Sequence, residues 1–140
     1  MRKAHFLLPA ASLALLAATA CATAPRMSDA QKLALYQGQA GPPVKSVRYV
    51  QPIGWQRIDD LHLLMDVRPR ESCLITMSGP CLGWGRSDQV ISISHNGGVV
   101  NAGLDSVDFL RSQISCRISQ IQPVDPVAVR NARNALAATP

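Results

Sequence analysis

The residues in this chain that could do chemistry are few and scattered: cysteines at 21, 73, 81 and 116, histidines at 5, 62 and 95, and a thin set of carboxylates. A nucleophile needs a base within hydrogen-bond reach, and the pairing that adjacent strands would bring closest is Cys73 with His62. The alternation around them puts Cys73 on an apolar face and His62 opposite it, so the two are not expected to meet. A zinc site built from His62, His95, Cys73 and Asp66 lacks the short ligand spacing such sites use. The sequence has no Gly-x-Ser-x-Gly elbow, no Walker loop and no His-Glu-x-x-His helix. Asp59 and Asp60 are adjacent and cannot face one site along an extended segment. Asp105 and Asp108 read as residues of a loop or short turn, where aspartate bonds local backbone. The expectation is a protein that is not an enzyme and that carries no cofactor and no metal.

Binding is the remaining chemistry. Trp84 lies between Gly83 and Gly85, with Arg86 next, on a loop just after Cys81. An exposed ring beside a guanidinium can contact a glycan or an anionic lipid headgroup. The competing reading folds Trp84 back over the sheet as a core lid. Arg68, Arg70, Arg86 and Arg117 are further candidates for an anion-binding face, although scattered arginines are ordinarily solvated surface.

The leader fixes the setting. Met1-Arg2-Lys3, an apolar run from Phe6 to Ala20 and then Cys21 form the layout of an export signal. That run falls short of the roughly 20 residues a helix needs to span a bilayer. Leu16-Ala17-Ala18-Thr19-Ala20-Cys21 resembles the lipobox of bacterial lipoproteins, with Ala18 where that motif usually has Leu. The resemblance implies removal of residues 1–20 and lipidation of Cys21. Because Ala22 is not the Asp that holds enteric lipoproteins in the inner membrane, it also implies an outer-membrane protein facing the periplasm. The alternative is cleavage after Ala18-Thr19-Ala20 by the general signal peptidase, which leaves a soluble periplasmic protein. Removing residues 1–20 takes away Arg2 and Lys3 and no acidic residue, leaving 12 basic against 9 acidic side chains, a formal +3. That is too mild for nucleic-acid binding.

An oxidising compartment predicts a disulfide among Cys73, Cys81 and Cys116, and three pairings are open, each leaving one thiol. Cys73–Cys81 would close a short loop across Ser78-Gly79-Pro80. Cys81–Cys116 would tie that turn to the last strand and is the expected bond, contributing about 4 kcal/mol by chain entropy. Cys73 is then a buried free thiol on a face with Ile75 and Met77. A small envelope thiol, redox protein or enzyme using Cys73 is the alternative function.

The elements that must position these groups follow from periodicity. With 140 residues, 47% hydrophobic and 16% charged, the chain suits one folded domain. We divide it into a signal peptide (1–20), a tether with a short helix (21–44) and a single β-rich domain (45–140). Ser28 to Tyr36 predicts a helix with Ser28 as N-cap and Gln31 in a capping box, and Gly38, Gly41, Pro42 and Pro43 stop it. From Val44 the period becomes two. Leu61, Leu63, Met65 and Val67, then Cys73, Ile75 and Met77, mark half-buried strands joined by the polar turn Arg68-Pro69-Arg70-Glu71. Further strands are expected at 46–50, around 55–58 and at 89–94. Asn96-Gly97 predicts a hairpin joining the strand that ends near His95 to Val99-Val100. A last strand spans 113–121, with Cys116 inward. Asp125-Pro126 opens a C-terminal helix with Val129, Ala132 and Leu136 on one face. The fold class is mainly β (α+β): a small antiparallel sheet or partly open barrel, one helix packed across it and a short N-terminal helix.

The run Leu74-Ile75-Thr76-Met77-Ser78-Gly79-Pro80-Cys81, followed by Cys116-Arg117-Ile118 and Ile121-Gln122-Pro123-Val124-Asp125, resembles a family of small exported proteobacterial proteins of unknown function. Trp55 and the stretch from Leu61 to Arg68 resemble it too, so the likeness covers roughly residues 40 to 130. It implies an exported domain in which Cys81 and Cys116 are the matched cysteines and Cys73 is extra. It carries over no catalytic residue. The function expected is a lipid-anchored, periplasm-facing envelope module that binds an envelope protein, a glycan or an anionic lipid. A lipoprotein that only spaces or stabilises a complex is a further reading.

Overall fold

The computed structural model describes residues 26–51, 53–81, 90–94 and 97–138. Cys21 with the leader, Trp84, Arg86, His95 and Asn96 lie outside the described residues.

Helix α1 (Asp29–Gln37) begins at the expected capping box. The Gln31 N–H donates to Ser28 Oγ at 3.2 Å, and the Ser28 N–H donates to Gln31 Oε1 at 2.8 Å. Eight strands follow: β1 (Ser46–Arg48), β2 (Trp55–Arg57), β3 (His62–Arg68), β4 (Glu71–Met77), β5 (Ile91–Ile93), β6 (Val99–Asn101), β7 (Ser106–Phe109) and β8 (Ile114–Val124). Helix α2 (Pro126–Ala137) closes the chain; the Val127 N–H donates to the N-cap Asp125 side chain at 2.8 Å. The main sheet is antiparallel in the order β2-β3-β4-β8-β7-β5, and β1 and β6 form a separate two-stranded ribbon. The protein is thus mainly β, with a curled sheet and two helices. The curl brings Trp55 of edge strand β2 against Phe109 of β7, three strands beyond β3 in the sheet order, with ring centroids 5.6 Å apart and planes at 74°.

Period-two patterning works on both faces. Leu63, Met65, Val67, Cys73, Ile75, Met77, Phe109, Cys116 and Ile118 fill the concave side, closed over by Tyr49 and Val100 from the ribbon region. Leu74 and Leu64 face the other way, under Leu35 and Tyr36 of α1 and Val129 of α2. The sheet therefore has two apolar faces, and two helices rather than one pack on it. Arg133 of α2 donates to the Tyr36 hydroxyl of α1 at 3.2 Å. Arg57 ties α1 to the sheet through Asp29 at 3.0 Å, and the hydrogen bonds from Lys32 and Arg57 hold the Asp29 carboxyl below its ordinary range.

Several expectations need correction. The strands around Asn96-Gly97 do not form a hairpin: β5 pairs with β7, and β6 pairs with β1. A turn signal specifies a local reversal, whereas Val100 gains complete burial by capping the open side of the sheet with β1. Gln113, at φ 54°, is a turn residue rather than the start of the last strand, which runs on through Pro123 to Val124. Asp108 lies in β7, not in a turn. Leu61 and Leu136 share the apolar periods but are 37% and 60% exposed, each lying at an element end.

Candidate functional site

Arg68 and Arg70 of the β3–β4 hairpin are joined by Arg130 of α2 at one cleft. Arg68 pairs with Glu71 across a two-residue turn, Pro69-Arg70, and the ladder shifts register between Asp66 and Arg68. Pro at the first turn position and a positive φ at the second is the pattern of a type II turn, whose second position favours glycine. Here it is Arg70, at φ 66°. The left-handed backbone costs a non-glycine residue on the order of 1 kcal/mol, and it presents an exposed guanidinium at the tip.

Beside this hairpin opens a cleft of about 770 Å³. Arg68 and Arg70 line it from the hairpin and Arg130 from the second turn of α2. Arg68 reaches Glu71 only at 3.8 Å, and neither Arg70 nor Arg130 has a carboxylate at ion-pair distance among the described residues. Pro126 and Val127, the first turn of α2, form another wall, so the positive end of the helix dipole lies at the same place. One carboxylate shares the space. Asp66 Oδ1 accepts from Ser72 Oγ at 2.8 Å, and its backbone N–H donates to the Gly54 carbonyl at 2.8 Å. A Cβ on Gly54 would sit 2.7 Å from Asp66 Oδ2, so a glycine there lets the carboxylate lie against the loop. Val50 and Val127, 54% and 51% exposed, give the rim an apolar part.

A second cleft of about 580 Å³ shares Arg70 and Ser72 with the first and is lined by Val47, Val67, Pro123 and Cys73. Among the described residues Cys73 is the free cysteine, and it is buried. Burial, then the charge of Glu71, pushes its thiol up to about 11, so at neutral pH it is protonated and a poor nucleophile. His62 is not its partner: His62 stands opposite Thr76, and Cys73 opposite Met65. The His62 ring instead contacts Asp59 at 2.8 Å, and that carboxylate also accepts the Leu61 and His62 backbone N–H groups. Asp60 pairs with Arg57 at 2.7 Å, and Asp105 accepts from the Asn101 N–H at 2.7 Å. Among the described residues no three His, Cys, Asp or Glu side chains group as metal ligands, and no helix is long and apolar enough to cross a membrane.

Of the arginines singled out in the sequence, the structure brings Arg68 and Arg70 together. Arg117 stands elsewhere: it pairs with Ser106, and its carbonyl accepts from the Ser78 N–H at 3.0 Å. At about 3.3 Å per residue it is roughly 23 Å along β8 from Val124, the residue opposite Ser72. The residue the sequence reading missed is Arg130. Its signal was present, because Asp125-Pro126 fixes the start of α2 and Arg130 follows one turn later; what was lacking was the β4–β8 pairing that sets this helix beside the hairpin. Cys81 and Cys116 are joined by a disulfide with Cα atoms 6.1 Å apart.

A match to a known family runs over residues 2–140. The chain belongs to the DUF6491 family. That family is one of unknown function. No curated protein and no solved structure matches the chain. The arginine cleft of this DUF6491 chain therefore has to be interpreted from its own residues.

Proposed function

We propose that this protein is a lipid-anchored module of the outer membrane, facing the periplasm, that binds an anionic envelope component and catalyses no reaction. One observation carries the reading: the guanidinium groups of Arg68, Arg70 and Arg130 line one open cleft beside a helix N-terminus, two of them without a carboxylate partner among the described residues. Unpaired guanidiniums around a concavity suit an oxyanion, which they bind in bidentate fashion. The leader ending at Cys21 supports the anchor, and the Cys81–Cys116 disulfide suits an oxidising compartment. The thiol reading has weaker support, because the Cys73 proton is held by burial.

The test separates anchor from cleft. Cys21→Ser is expected to abolish lipid labelling and release the chain to the soluble fraction, because acyl chains at about 0.8 kcal/mol per buried methylene hold it. The triple variant Arg68→Ala, Arg70→Ala, Arg130→Ala is expected to stay in the membrane, keep its unfolding midpoint and lose the material that co-purifies with the wild type. If the triple variant keeps that material, the cleft is not the binding site.

A further inference from the structure

Resting on the reading of the arginine cleft as a binding site, we infer that its ligand is the free carboxyl end of a peptide with small apolar side chains, approached from the aqueous side, and not the headgroups of the membrane. Three observations converge on this.

The first is the balance of charge. Arg68, Arg70 and Arg130 share their cleft with Asp66, and Glu71 and Asp125 line the adjoining second cleft. Long-range attraction to an anionic bilayer grows with net positive charge, and here the carboxylates of the two adjoining clefts together offset the three guanidiniums. The guanidiniums can act only at contact, on an anion that enters between them, while the Asp66 carboxylate accepts an N–H from the same ligand. A peptide end offers both groups on one Cα.

The second is the lining. The exposed apolar groups are Val50 and Val127, and no aromatic ring lines the cleft among the described residues. A sugar is usually held by an aromatic face; small aliphatic side chains suit two valines.

The third is position. Asp29, at the start of α1, bonds Arg57, which pairs with Leu63 near the beginning of β3. Arg68 is five residues farther along that strand, about 16 Å at 3.3 Å per residue. Helix α1 therefore starts at one end of the sheet, and the cleft opens at the other.

The experiment uses the full-length, detergent-solubilised, 15N-labelled protein and the tripeptide Ala-Ala-Ala as free acid or C-terminal amide. The free acid is expected to shift amide signals of residues 66–72 and of the first turn of α2. The amide should bind about tenfold more weakly, as loss of a charge-assisted hydrogen bond implies. Arg130→Gln and Asp66→Asn should each weaken the free acid severalfold, with Arg117→Gln unchanged. Equal binding of acid and amide overturns the proposal. So does inorganic phosphate competing as strongly as the peptide, or adsorption to phosphatidylglycerol vesicles that Arg130→Gln abolishes; in those two cases the anion cleft survives and only the peptide assignment fails. If peptide, phosphate and vesicles all leave the hairpin signals unmoved, the anion-binding reading falls as well.

Discussion

At the scale of single residues, the concave core and the cleft compete for the same strand ends. Cys73 and Ser72 are neighbours on β4, yet Cys73 points into the core and Ser72 donates to the cleft's Asp66, because side chains alternate across a strand. The buried thiol has a consequence that pH can expose. Its ordinary pKa of 9.0 is raised to about 11 in the folded chain. A thiol with a raised pKa favours the fold in its protonated form, so its contribution is complete below pH 9 and disappears as pH climbs towards 11. Urea midpoints measured at pH 7.5 and 10.5 should therefore fall further for the wild type than for Cys73→Ala, although the variant starts lower because it leaves a small cavity. Parallel losses in the two proteins would show that the thiol does not titrate in this window. This residue's burial was legible in the alternation with Ile75 and Met77; its place beside a cleft was not, since that depends on Val47 and Pro123 arriving from distant segments.

At the scale of elements, whatever is decided locally was readable. The capping box of α1, the Asp125-Pro126 start of α2 and the β3–β4 hairpin all rest on contacts within a few residues, and all stand where the sequence puts them. What failed was long-range partner choice: the Asn96-Gly97 signal could not reveal that β6 pairs with β1, more than 50 residues upstream. The hairpin turn itself shows a local rule broken. A type II turn asks for glycine where Arg70 stands at φ 66°. Arg70→Gly should relieve that strain and raise stability by about 0.5–1 kcal/mol, since glycine adopts positive φ freely. The same change should reduce occupancy of the cleft by its ligand, because it removes one of three guanidiniums. A gain in stability with loss of binding would mark the arginine as retained for recognition. A loss of stability would mean that its side chain supports the turn through contacts that outweigh the backbone cost.

At the scale of the whole molecule, the curl of the sheet and the disulfide act together. Trp55 meets Phe109 across the concave side, and Cys81 is bonded to Cys116 at the β8 end of that core, so both features hold the sheet in a half-closed form. The mainly β class with a C-terminal helix was legible from period-two patterning. The curl was not, because it depends on which strands neighbour one another, and the second apolar face was missed because Leu74 reads as the polar-side partner in a half-buried strand. The disulfide closes a loop of sequence separation 35 that holds β5, β6 and β7. Chain entropy assigns such a loop about 4 kcal/mol, a large share of the 5–15 kcal/mol typical of a domain. The double variant Cys81→Ser, Cys116→Ser should therefore lower the unfolding free energy by roughly 3–4 kcal/mol, less whatever native strain the bond carries. The loss should be larger than for Cys73→Ala, which opens only a small cavity. Helix α1, α2 and the β3–β4 hairpin lie outside the bridged loop, so their amides should exchange with solvent more slowly than those of β5 and β6 in the variant. Uniform acceleration of exchange across both regions would mean instead that the sheet unfolds as one unit, and that the cleft at the hairpin depends on the bond at the far end of the core.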